Sequence, residues 1–295
     1  METLAPTTTN KPAHSKKPPI TMDPEFYVKN NGYQRKFNLQ VLQLMRGSFT
    51  DETKEQQFLD LGCGTGDFTR DHLLPLWPDV GRIVAVDVSE DMVEHAKRKF
   101  SHPKICYDVL DIGGSGVADF VGRYGQFDRV YSFFCLHWIR NQERAFKNIA
   151  DLMKPGGECL LYFLASASFM RLGRKLLTLD HWQKYRTVLA THSPTLDLPD
   201  RDARLSYISG LVKNANLIPT TCEVLEEDRR WSSVEEYTRV HMGLIRLSNL
   251  VTEEEKPLLL KDVAEEGAKL LAEKEAGGSP FRNSQFLVRA YKPRH

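Results

Sequence analysis

The sequence predicts a doubly wound α/β fold, and three observations carry that prediction. Short apolar runs alternate with helical patterns from about residue 57 onward, the signature of strands joined by crossover helices. A glycine-rich turn, Gly62-Cys63-Gly64-Thr65-Gly66, follows the first apolar run directly. That is where a chain folds back under the carboxyl end of a parallel strand. The next run, Ile83-Val84-Ala85-Val86, is continuous rather than alternating, as expected of a strand buried on both faces.

In order along the chain, residues 1–21 are polar, with four Pro and three Lys, and are expected to form a disordered tail. Asp23-Pro24-Glu25 has the pattern of a helix start: a capping residue, Pro at the first position, then an acid. A second helix is expected over about Gln34–Met45, with Phe37, Val41, Leu44 and Met45 at helical spacing. Gln34 shares their face, so its amide needs a partner in the protein or in a ligand. Strands are expected at 57–61, 83–87, 104–110, 127–135 and 158–164. Helices are expected after Ser89-Glu90-Asp91 and over about 141–153, the latter ended by Pro155-Gly156-Gly157. The second half is less regular. It suggests helices near 180–189 and 203–214, a strand over 223–231 and a closing strand over 286–291. Two helical stretches lie within 232–276, of which Glu253–Ala276 carries eight acids and four lysines and reads as a solvated face.

At 295 residues the chain could hold two domains. The spacing favours one over 22–295, with a core over about 56–164 and a helical cap from about 22–46, 166–200 and 232–280. Forty Lys+Arg against 39 Asp+Glu give a net charge of +1, which argues against a nucleic-acid partner held by a basic field. The longest apolar run, Leu160–Ala165, is far too short to span a membrane. Five cysteines without CxxC spacing point to free thiols in a cytoplasmic setting, with no metal site.

The chemistry concentrates in Asp60-Leu61-Gly62-Cys63-Gly64-Thr65-Gly66-Asp67. A dinucleotide fold would want its third glycine where Asp67 stands, and a carboxylate there opposes a pyrophosphate. Three alternating glycines flanked by acids suit a cationic ligand without phosphate. The pattern resembles the first motif of class I methyltransferases, which implies S-adenosylmethionine as cofactor. Asp87 lies 21 residues beyond Gly66 at the end of the second strand, where an acid accepts from ribose hydroxyls. Asp111 and Ile112 match the family's adenine position. Asp60, Gly62, Cys63, Gly64, Gly66, Val88 and Ser132 complete the expected cofactor contacts.

No Asn/Asp-Pro-Pro-Tyr run of the amine methylases follows the fourth strand. Instead the chain reads Phe133-Phe134-Cys135-Leu136-His137-Trp138, then Asn141-Gln142. Together with Tyr27, Asn31-Gly32, Gln34-Arg35 and Leu73-Leu74-Pro75, this resembles the juvenile hormone acid methyltransferases. Phe134 stands where the common family pattern has Tyr, and residues 1–21 are an extension. The resemblance implies carboxyl O-methylation of farnesoic acid, juvenile hormone acid or a related lipid acid, with Gln34 and Trp138 holding the carboxylate. A carboxylate is already ionised at neutral pH and needs no general base. His137 is the one candidate base beside them, and it equally suits a loop anchor or a carboxylate contact. Two alternatives remain: a phenol or amine acceptor with His137 as base, and a cofactor-binding protein without turnover. Nothing in the sequence fixes an oligomeric state.

Overall fold

Seven strands form one sheet: β1 (Gln57–Leu61), β2 (Arg82–Asp87), β3 (Ile105–Val109), β4 (Phe127–Phe133), β5 (Met153–Ser166), β6 (Ile218–Asp228) and β7 (Arg282–Tyr291). The computed structural model describes residues 23–49, 55–186, 194–228, 231–276 and 282–294; the expected N-terminal tail lies outside them. The strand order is β3-β2-β1-β4-β5-β7-β6. Strands β1 to β5 pair in parallel, whereas β7 runs antiparallel to both β5 and β6. Strands β1 to β5 form the expected doubly wound core, and β7, whose direction the sequence leaves open, makes the sheet mixed. Strand β7 is buried over Asn283–Val288, and a strand buried on both faces reads alike in either direction.

The chain leaves β1 for β2 on one side of the sheet and later returns to β4 on the other. This reversal opens a crevice at the carboxyl ends of the strands, the usual ligand position in such sheets. Strand β1 also divides the core. Leu59 and Leu61 belong to one apolar cluster, with Val84, Val130, Phe146 and Leu161. Phe58 belongs to another, with Ile83, Tyr131, Leu160 and Trp77. Successive side chains point to opposite faces, so these clusters are the two sides of the sheet.

Local chemistry sets the helices. Asp23 caps α1 (Pro24–Asn30), its Oδ1 accepting from Phe26 N–H at 2.6 Å. Helix α2 (Gly32–Arg46) buries Asn38, Val41, Leu42 and Met45. A π-helical turn over Thr69–Leu73 runs into the short α3 (Leu74–Leu76). Ser89 caps α4 (Glu90–Lys99), and Asn141 caps α6 (Gln142–Leu152). Helices α5 (Val117–Tyr124) and α7 (Ser168–Leu176) are additional to the sequence reading. Strand β4 ends at Phe133, not 135, because Phe134 takes φ 48° and Cys135 leads a 3-10 turn, Leu136–Trp138. Pro155-Gly156-Gly157 falls inside β5, where the register against β4 shifts. The helix expected near 180–189 is a 3-10 turn over Asp180–Tyr185, and its later residues lie outside those described.

Helices α8 (Arg201–Asn214), α9 (Val234–Leu244) and α10 (Lys256–Glu275) complete the chain. A third core forms where α7, α9 and α10 meet. It contains Leu172, Leu176, Trp182, Trp231, Tyr237, Leu259 and Val263. Several residues that the sequence could place in a substrate cap are therefore ordinary core. The acidic α10 is solvated on one side only, because Leu259 and Val263 are fully buried. Asp262 ties the cluster down by accepting from Trp182 Nε1 at 2.7 Å.

Gly267 sits where α10 meets α9. A Cβ there would lie 2.5 Å from Cδ1 of Tyr237, a fully buried ring. Alanine normally favours a helix by about 1 kcal/mol over glycine, but overpacking a fixed ring costs about 1–3 kcal/mol. Gly267→Ala should therefore lower the melting temperature while leaving cofactor affinity unchanged. An equal or higher Tm would show that α9 and α10 separate freely.

Candidate active site

The glycine turn is bound to β2 through its own backbone. Gly62 and Cys63 N–H groups both donate to Val86 O, at 2.8 and 2.9 Å. Gly62 has φ +79°, and a Cβ on it would lie 2.4 Å from Cβ of Cys135, so only glycine fits. Asp87 closes the turn: Gly64 N–H donates to its Oδ2 and Ser89 N–H to its Oδ1, both at 2.9 Å. Burial pushes the Asp87 carboxyl above its usual pKa, opposed by the backbone N–H groups of Ser89, Gly64 and Val88.

A cavity of about 490 Å³ opens over this turn. Of the sequence-predicted cofactor residues, Gly62, Gly64, Asp87, Val88, Asp111 and Ile112 border it. Asp111 Oδ1 accepts from Gly113 N–H at 2.9 Å, while Asn148 Nδ2 donates to Ile112 O at 2.6 Å and Gly114 O at 3.1 Å. These bonds hold the loop with the Ile112 side chain buried.

The other four lie elsewhere. Gly66 packs against the sheet, where a Cβ would meet Tyr107 Cε1 at 2.7 Å; it allows close packing and does not wall the cavity. Ser132 is buried and donates to Leu61 O at 2.9 Å, which staples β4 to β1. Asp60 and Cys63 border a small pocket of about 20 Å³ beneath the turn. Asp60 is 3% exposed and accepts from Thr69 Oγ1 at 2.5 Å. Burial raises its pKa to about 7, against the lowering effect of Thr69.

Beside the large cavity is a second one, of about 140 Å³. Its walls come from α1 (Phe26, Tyr27, Asn30), α2 (Tyr33, Gln34), the 3-10 turn (His137, Trp138), α7 (Ser168, Phe169), α9 (Arg239, Val240, Gly243, Leu244) and β7 (Asn283). Tyr27, Gln34, Phe134, Trp138, Gly243 and Leu244 border both cavities. The Gln34 amide has no hydrogen-bond partner among the described residues and faces these spaces. Phe169 supports Trp138, with ring centroids 5.6 Å apart. His137 is 2% exposed, its ring 4.7 Å from that of Trp138.

A buried network ties the helical side of this wall to the glycine turn. Asp67 accepts from Asn31 Nδ2 at 3.0 Å, from Thr65 Oγ1 at 2.7 Å and from the Arg35 guanidinium. Arg35 also donates to Asn31 Oδ1 at 2.9 Å. Gln34 lies between these anchors. Tyr27 packs toward Gly64, and burial together with Asp67 and Asp87 pushes its phenol pKa up. Sequence reasoning missed Arg239, Ser168 and Asn283 as pocket residues. They come from distant segments with no shared motif, whereas Tyr27 already stood in the resemblance.

Asp60 provides a stability test. Its folded pKa of about 7 exceeds the ordinary 3.8, so its stabilising contribution is complete below pH 3.8 and is lost as pH rises to about 7. Each pH unit in that window is worth about 1.4 kcal/mol at most. Wild type should lose stability relative to Asp60→Asn between about pH 4 and 7, with a constant difference above. A constant Tm difference across the whole range would remove the assignment.

Residues 58–157 match the family described as a methyltransferase domain. Over 202 residues the chain is 33% identical to the juvenile hormone acid O-methyltransferase of Bombyx mori, covering 68% of this chain and 71% of that protein. The Drosophila melanogaster protein of the same name is 39% identical over 133 residues, 44% of each chain. Among solved structures, the YcgJ protein of Bacillus subtilis superposes with a TM-score of 0.52 at 16% identity, covering 87% of this chain and 99% of that one. A Haemonchus contortus phosphoethanolamine N-methyltransferase 2, solved with S-adenosylhomocysteine, gives 0.51 at 17% identity over 93% and 61%. The glycine turn, the acid closing it and the crevice above thus belong to an S-adenosylmethionine-dependent methyltransferase, and the chain is a member of the juvenile hormone acid O-methyltransferase family of the class I enzymes.

Proposed function

We propose that the protein forms the methyl ester of a small lipophilic carboxylic acid, with farnesoic acid, juvenile hormone acid and related sesquiterpenoid or fatty acids as the candidates. The observation that carries this reading is the shared wall. Gln34 and Trp138 stand between the two cavities, and the acceptor side is otherwise largely apolar. The Bombyx mori relative is named for an acid of this kind.

The large cavity fits the cofactor. Asp87, fixed by two backbone amides, would accept from the ribose hydroxyls, and Ile112 and Val88 would flank the adenine with Asp111 at its amine. S-adenosylmethionine supplies an electrophilic methyl group when bound. The protein's task is then alignment and exclusion of water. The Gln34 amide and the Trp138 indole N–H are neutral donors. They orient an anionic oxygen without neutralising it, and the acceptor's hydrocarbon gains about 0.8 kcal/mol for each CH₂ buried. A carboxylate acceptor, already ionised, leaves no proton for His137 to remove.

Asp87→Ala should weaken cofactor binding by about tenfold or more, because it deletes charge-assisted bonds worth about 1.5–3 kcal/mol. An unchanged calorimetric Kd would remove the ribose assignment. Gln34→Ala and Trp138→Phe should keep cofactor affinity but lower kcat/KM for a lipid acid by about tenfold each, the loss of one oriented donor. The decisive assay supplies methyl-labelled cofactor with farnesoic acid, juvenile hormone acid, linear fatty acids, phenols and amines. Labelled methyl ester is the expected product. A methylated phenol or amine, or parental ester formation by both variants, would overturn the reading.

A further inference from the structure

The acceptor pocket contains a second polar station, separate from Gln34 and Trp138. Ser168 opens α7 and Asn283 lies in β7; both line the pocket and are 6% and 5% exposed. Pairing of β5 with β7, which ends at Ser166 opposite Ser284, brings them together across 115 residues of sequence. The Ser168 backbone N–H donates to Asn283 Oδ1 at 3.1 Å. That bond fixes which end of the amide is which. Nδ2 is left with no hydrogen bond among the described residues, and it is not among the sealed orphan atoms of the interior. Asn283 therefore offers a donor to the pocket.

The Ser168 hydroxyl is oriented from behind. His241 is fully buried, with Nδ1 2.8 Å from the Tyr237 carbonyl oxygen and Nε2 2.8 Å from Ser168 Oγ. A carbonyl only accepts, so Nδ1 carries the proton. In the neutral ring Nε2 is then an acceptor, and the Ser168 O–H points at it. The Tyr237 ring stacks on the imidazole at 3.7 Å and 17°, which holds the ring in that orientation. With its proton committed, Ser168 presents only lone pairs to a ligand. The station is thus one donor, Asn283 Nδ2, beside one acceptor, Ser168 Oγ.

That pair complements an alcohol, which both accepts and donates. It half-satisfies a ketone or ether, which only accepts, and the Ser168 lone pairs repel a carboxylate. We infer that the acceptor carries a hydroxyl group on its hydrocarbon, accepting from Asn283 Nδ2 and donating to Ser168 Oγ. The inference rests on the reading of this pocket as the acceptor site and narrows its candidates to hydroxylated lipophilic acids, since farnesoic acid itself has no oxygen on its hydrocarbon to fill the pair. A buried hydrogen-bonding pair discriminates against analogues that leave it unpaired.

The test uses full-length protein loaded with S-adenosylhomocysteine and a set of linear acids. Each acid is supplied as the parent, a hydroxy acid and a keto acid, with the oxygen moved stepwise along the chain. Calorimetry reads binding, and methyl ester formation with labelled cofactor reads turnover. At one chain position the hydroxy acid should bind about tenfold more tightly than both the keto acid and the parent. In Ser168→Ala the hydroxy acid should fall to the level of the keto acid, a comparison made within one variant and so independent of its overall stability. Equal or tighter binding of the parent at every position in wild type overturns the inference, with water as the station's occupant. Hydroxyl preference in binding without any methyl ester keeps the station and overturns the esterification reading. Ester formation without hydroxyl preference does the reverse, and no binding by any of these acids or by farnesoic acid, added as a control, overturns both.

Discussion

One buried carboxylate joins the halves of the site. Asp67 is 3% exposed, and a charge in that position is tolerated only with its donors in place. Those donors come from two regions: Thr65 from the glycine turn itself, and Asn31 and Arg35 from the corner between α1 and α2. The N-terminal helices are therefore tied to the cofactor turn by charge-assisted hydrogen bonds as well as by apolar packing. Because Gln34 lies between the two anchoring residues, its position relative to the turn is set by the same carboxylate. The feature that separates this motif from a dinucleotide site is also the one that docks the helical wall between the two cavities.

How far the sequence revealed this depended on the range of the interactions. The limits of β1, the caps at Asp23, Ser89 and Asn141, and the glycine turn were all legible, because capping and turn chemistry act over three or four residues. Helix α5 went unread: it is eight residues long, contains Gly122 and buries only Val117 and Phe120. Helix α7 includes Gly173 and follows a strand with no capping side chain. The reversed direction of β7 leaves no local trace. In the site, Asp87 and Gln34 could be read from motif and periodicity. The Ser168, His241 and Asn283 cluster could not, because it exists only once β5 pairs with β7 and α9 packs on α7.

The electrostatics of the acceptor pocket follow from the same separation. A carboxylate entering an apolar space loses hydration that donors must replace. For a carboxylate acceptor the negative charge is lost as the methyl group moves, so a full ion pair at the reacting oxygen would stabilise the ground state more than the transition state and slow the chemical step. On the proposed reading Gln34 and Trp138 would avoid this, because both are neutral donors. The cation the pocket does possess, Arg239, is an exposed α9 residue with no acidic partner among the described residues. Its charge would favour an anionic acceptor without a buried ion pair having to form.

The division between cofactor and acceptor also divides the chain. Residues 58–157, which match the methyltransferase domain, contain the glycine turn, Asp87, Asp111 and Ile112, with Trp138 on the wall shared by both cavities. Ser168, Phe169, Arg239, Val240 and Asn283, which wall the acceptor pocket, all lie beyond it. The first group must keep a fixed backbone around one invariant cofactor, so its constraints are short-range and show up as motifs. The second group lines the pocket proposed for the acceptor and must fit that molecule's shape and polarity. Packing and long-range pairing impose that fit, and different side chains can satisfy it on the same sheet. Side chains on α7, α9 and β7 can therefore change the shape and polarity of that pocket while the Asp67 network keeps Gln34 in place beside the methyl-donor cavity.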